Sequence, residues 1–146
     1  MFMNKNYYID DHHCAYCGEY ADTKDHIIPY SFNHSGKRRA DMGDSDNLVP
    51  CCRECNSIAS NLVFDDFYKK KDYIQERLIQ KYKKVINMVY WSDEEIDEMG
   101  PEFRTDLRIY QLARKWILNR INYPVLMFEE KPMRAELNRV FEKFGL

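Results

Sequence analysis

No apolar run in the chain approaches the length of a membrane span, and its opening, Met1-Phe2-Met3-Asn4-Lys5-Asn6, lacks the apolar stretch of a secretory leader. The expectation is a protein without a membrane anchor, working in the cytoplasm where thiols stay reduced. There is no low-complexity tract and no internal repeat, which excludes a solenoid or a propeller. Positive charge is not in surplus either: 22 Lys and Arg stand against 24 Asp and Glu, a formal net charge of -2. Bulk composition therefore gives no argument for a polyanionic partner.

What is present suits a folded domain. Hydrophobic residues make up 45% and charged residues 32% of the 146 positions, the balance of a globular chain rather than a disordered one. The negative charge is unevenly placed. Residues 91–102 hold six acidic residues and no basic one, while 65–90 and 103–146 are each net basic. That distribution permits a polyanionic partner without requiring one.

The organisation changes once along the chain. Up to about Asn56 the signals are turns and short strands: Gly18, Pro29, the Asn33-His34-Ser35-Gly36 cluster and the stretch from Gly43 to Asp46. Ile27-Ile28 and Leu48-Val49 read as short strands or strand ends, separated by a long loop from Tyr30 to Asp46. After Asn56 almost everything reads as helix. Apolar residues from Phe64 to Tyr90 recur near the helical period. Ser92-Asp93-Glu94-Glu95 forms a capping box for a short acidic helix that Gly100-Pro101 is expected to close. A third helix is expected over Phe103 to Asn122, stopped by Pro124, and a last one over Lys131 to Phe144.

Two Cys-x-x-Cys knuckles, Cys14-Ala15-Tyr16-Cys17 and Cys52-Arg53-Glu54-Cys55, can supply four thiolates to one closed tetrahedral zinc site. The polar, loop-rich early segment buries little apolar area by itself, so a metal staple answers a real need. A disulfide framework suits a secreted chain, and a thioredoxin-type redox pair needs a βαβ context and only one knuckle. The x-x spacing selects Cys52 over Cys51, which is left as a buried free thiol.

Between the knuckles stands Lys24-Asp25-His26-Ile27-Ile28-Pro29, then Asn47-Leu48-Val49-Pro50, and Asn56 directly follows Cys55. In order and spacing this stretch, from Cys14 to about Asn61, resembles the zinc-bearing branch of the HNH endonucleases, whose ββα-metal core is similar to a treble clef. The resemblance covers about a third of the chain. It implies an α+β protein, with a zinc-stapled core over 1–62 and a mainly helical extension over 63–146 packed on it. It also implies a phage or bacterial origin.

The resemblance further implies roles. His26 would be the general base that takes a proton from the attacking water, a task suited to imidazole near neutral pH. Asp25 and Asn56 would ligate one divalent cation, Mg²⁺ or Mn²⁺, and Asn47 would brace the histidine loop. The products would be a 5′ phosphate and a 3′ hydroxyl. The third family position is often histidine, and Asn56 there favours a hard, oxygen-preferring ion over zinc. The expected partner is double-stranded DNA, with a homodimer or a protein partner open to the helical half.

Plainer explanations stand beside each of these. Asn56 could be a helix N-cap, and Asp25 could pair with Lys24 or a nearby arginine. His12 and His13 suit a solvated turn. His34 and the run Lys37-Arg38-Arg39 fall in the long loop, where they could track a DNA backbone or simply be solvated. Lys69-Lys70-Lys71 and Lys81, Lys83 and Lys84 read as a solvated helix face, and the helical aromatics as core. For the chain as a whole the rivals to a nuclease are a catalytically silent zinc module that binds nucleic acid, and a protein-interaction scaffold.

Overall fold

The computed structural model describes residues 10–28, 47–60, 62–124 and 132–146, together with the backbone of 33–34 and 37–38. Strand β1 (Thr23–His26) pairs antiparallel with β4 (Leu48–Cys51), and a hairpin of β2 (Asn33–His34) and β3 (Lys37–Arg38) lies between them in sequence. The register sets Thr23 opposite Cys51, Asp25 opposite Val49 and His26 opposite Leu48. Helix α1 (Arg53–Ala59) follows β4 after a single residue, Cys52, whose sulfur caps it by accepting the Cys55 N–H. The result is a ββα unit.

Five further helices follow among the described residues: α2 (Phe67–Lys81), α3 (Lys83–Ile86), α4 (Asp93–Glu98), α5 (Pro101–Ile121) and α6 (Arg134–Phe144). This is the α+β architecture expected, a small core followed by a helical part. Two of these helices start at side-chain caps. Asp66 caps α2 by accepting the Lys69 N–H, and Ser92 and Glu95 form a complete capping box on α4. At the far end Gly145 takes the left-handed conformation, φ 71°, while the Leu146 N–H reaches back to the Phe141 carbonyl and seals α6.

Several expectations need correction. The stretch read as one helix from Phe64 to Tyr90 is α2 and α3, parted at Tyr82, whose ring is buried against Trp116 and Phe141 and whose hydroxyl is tied to Glu54. Gly100-Pro101 opens α5 rather than closing α4: Gly100 is the N-cap and Pro101 the first helical residue, where a missing N–H costs nothing. The stretch read as a loop from Tyr30 to Asp46 contains the β2–β3 hairpin. Strand β1 precedes Ile27-Ile28 instead of including them, because the Ile27 and Ile28 N–H groups bond to Asn47 rather than to a strand partner. Pro29, Arg39 and Lys131 lie outside the described residues, as do the side chains of His34, Lys37 and Arg38.

One apolar core runs through both parts of the chain. Tyr16 of the first knuckle stacks on Phe67 of α2 at 5.2 Å between ring centroids, and Tyr82, Trp116 and Phe141 cluster with centroids 5.4 to 6.2 Å apart. Among the described residues most aromatics thus serve the core, although Tyr20, Tyr68, Tyr90 and Phe103 are exposed. No helix among the described residues is long and apolar enough to cross a membrane.

Candidate metal clasp and active site

The first knuckle turns at Gly18, φ +77°, whose N–H bonds to the Cys14 carbonyl. The second spans the β4–α1 junction. The Ala15 N–H donates to the Pro50 carbonyl at 2.9 Å and brings the knuckles together. All four sulfurs, of Cys14, Cys17, Cys52 and Cys55, lie within 4.8 Å of one another and are buried. A zinc ion at about 2.3 Å from each sulfur of a tetrahedron would set neighbouring sulfurs roughly 3.8 Å apart. Cys17 and Cys52 are 3.7 Å apart. The donor set therefore fits a structural metal ion of the zinc type.

All five cysteines are free thiols, so no disulfide competes for them. Cys51 is buried and donates to the Cys52 carbonyl at 3.2 Å, outside the cluster, as the spacing indicated. His12 and His13 are likewise outside it, both held by Asp10 through the His12 N–H and the His13 ring.

The helical part reaches into this clasp. Arg120, near the end of α5, is 2% exposed, with Nε 3.3 Å from Cys17 Sγ, Nη2 3.9 Å from Cys52 Sγ and Nη1 2.6 Å from Glu54 Oε1. Burial alone would raise the Cys17 thiol, but hydrogen bonds from the other three cysteines and the Arg120 charge carry it well below its ordinary value. Burial would also raise Glu54, yet the Arg120 charge and bonds from Lys81 and Tyr82 hold its carboxyl below the usual range.

The residues with candidate chemistry sit beside the clasp. Asp25 and His26 end β1. Asn47 is 1% exposed and clamps the chain just beyond them: its Oδ1 accepts from the Ile28 N–H at 2.9 Å and its Nδ2 donates to the Ile28 carbonyl at 3.0 Å. Asn56 lies in the first turns of α1, half-buried, with its N–H on the Cys52 carbonyl. Cys52 is the N-cap, so Asn56 is not needed for that job. Its side chain makes no hydrogen bond among the described residues. Topology places it in the same ββα unit as Asp25 and His26.

Asp25 is not paired with Lys24 or an arginine. Its Oδ2 accepts from the Tyr16 hydroxyl at 2.6 Å and from Lys70 Nζ at 2.7 Å. Burial, and then the Asp25 charge, push the Tyr16 phenol well above its ordinary value, so it remains a donor. Lys70 is 3% exposed, and its ammonium also donates to the His26 carbonyl at 3.0 Å and the Ile27 carbonyl at 3.4 Å. Three N–H donors thus meet three acceptors. Reading Lys70 as part of a solvated face was wrong. The signal was available: Phe67, Lys70, Ile74 and Leu78 form one helical stripe, and all four are buried. Arg120 follows the same rule, four residues after Trp116 and three after Ile117.

Two knuckles thus bring four buried thiols together at a ββα unit that carries an Asp-His step on its first strand. Residues 14–62, about a third of the chain, match the family model for HNH endonuclease. No curated protein and no solved structure matches the chain.

Proposed function

We propose that the protein is an HNH endonuclease that hydrolyses DNA phosphodiester bonds, with His26 as general base. What supports this reading above all is the coincidence of the Asp25-His26 step, the Asn47 clamp and Asn56 beside Cys55 inside the segment that matches the family. His26 would accept a proton from the attacking water. Asn47 holds the backbone just beyond it, so the imidazole is presented from a fixed strand end rather than a loose loop. Asn56, one peptide bond from Cys55, takes its position from the zinc clasp.

Asp25 and Asn56 offer the hard oxygen donors that Mg²⁺ or Mn²⁺ prefers. Both described contacts of Asp25 fall on Oδ2, so Oδ1 would be its donor to such a cation. A bound cation would supply charge stabilisation to the phosphate and the leaving oxygen. Sharing the carboxylate with the Lys70 ammonium weakens its hold on a second positive charge, so millimolar rather than micromolar metal should be required. The basic run Lys37-Arg38-Arg39 and His34 would contact the DNA backbone. A double-stranded substrate, a cytoplasmic setting in a bacterial or phage-infected cell, and a dimer or partner contact through the helical half complete the reading.

The Lys70–Asp25 pair favours one alternative, a zinc module that binds nucleic acid without cutting it because its carboxylate is already neutralised. Supercoiled plasmid with Mg²⁺ separates the two. The nuclease converts it to nicked or linear DNA, and His26→Ala lowers the rate at least 100-fold while one zinc per chain is retained. Equal cutting by His26→Ala would refute the mechanism, and binding without any cutting by wild type would establish the alternative.

A further inference from the structure

We propose that Arg120 is a retention residue for the clasp metal, and that through it the helical half holds zinc in the core. Arg120 is separated from Cys17 by 103 positions, yet its Nε lies 3.3 Å from that sulfur and its Nη2 3.9 Å from Cys52. Four thiolates around a divalent ion carry a net charge of about -2. Among the described residues Arg120 is the cation hydrogen-bonded to them. Its N–H groups hydrogen-bond the two sulfurs and so hold each in its direction toward the other ligands of the clasp.

The guanidinium is itself held on all sides. Glu54 takes Nη1 at 2.6 Å and is bound in turn by Lys81 Nζ and the Tyr82 hydroxyl, both at 2.5 Å. The Trp116 ring lies 4.7 Å from Arg120 Cζ. A planar fork with five donors serves two sulfurs and a carboxylate in one fixed geometry, whereas an ammonium, a single point on a flexible stem, does not reproduce that spread of directions. Glu54 belongs to the second knuckle, between Cys52 and Cys55. One guanidinium therefore connects both knuckles to α5.

The test is competition for zinc against a colorimetric chelator, using the full-length protein, with far-UV circular dichroism to confirm folding. Arg120→Met should lose zinc at a chelator concentration 10–100-fold lower than wild type. Its fold should survive because Glu54 keeps Lys81 and Tyr82 as partners. Arg120→Lys, which keeps the charge but not the fork, should fall between the two and serves as the readout should Arg120→Met fail to fold. Arg114→Met is the control, since Arg114 lies on the same helix and donates to the Ile86 carbonyl instead. Retention within threefold of wild type in the Arg120 variants, or an equal loss in Arg114→Met, would overturn the proposal. The outcome does not depend on DNA cleavage: a protein that holds zinc through Arg120 but cuts nothing would leave it intact.

Discussion

The cysteine-clasped core and the helical half are built on opposite principles. In the core, side chains with a chemical task sit in tight sequence motifs, and neighbours in sequence are neighbours in the site: Cys52 caps the helix that carries Cys55 and Asn56. In the helical half the tasks are scattered along apolar stripes, and each side chain meets its partner far along the chain. Lys70 is 44 positions from the His26 carbonyl it binds, and Arg120 is 103 from Cys17. Each half lacks what the other supplies. The core brings buried negative charge, in Asp25 and the thiolates, and the helices bring the buried cations.

The largest effect that would break this division is loss of the Lys70 ammonium. Lys70→Met strands the Asp25 carboxylate, 11% exposed, with only the Tyr16 hydroxyl, and should cost about 3 kcal/mol in urea unfolding, the low end for a broken buried pair. Lys69→Met removes an adjacent charge that is 69% exposed and should change stability by less than about 0.5 kcal/mol. Equal effects at the two positions would show that Lys70 is as solvated as its neighbour. Adding Asp25→Asn to Lys70→Met should recover part of the loss, because the stranded charge is gone.

A smaller effect is expected where the halves touch through shape rather than charge. A Cβ on Gly18 would lie 2.3 Å from Tyr123 Cδ2, and the residue has a positive φ. Gly18→Ala should therefore cost about 1–3 kcal/mol, with the strain divided between the turn and the displaced ring. A melting curve unchanged from wild type would mean that Tyr123 does not seat on the knuckle.

The contrast between the halves also explains what could be read in advance. The cysteine spacing, the Asp25-His26 step, Asn47 and Asn56 lie within one short stretch, so their order alone announced the clasp and the candidate site. The helix positions followed from apolar periodicity and from the capping box at Ser92. The break at Tyr82 and the roles of Lys70 and Arg120 did not follow. Periodicity tells which residues face inward but not which distant segment they meet, and a cation on an apolar stripe is easily taken for a surface residue. Lys70, three after Phe67 and four before Ile74, was a warning in plain view.

The central claim is that the clasp and the helical half form one cooperative unit joined at Arg120. Hydrogen–deuterium exchange before and after chelation of zinc tests it most directly. Removing the metal should deprotect the last turns of α5, residues 114–121, together with both knuckles. Full protection of those turns in a protein whose knuckles have become exchangeable would contradict the account.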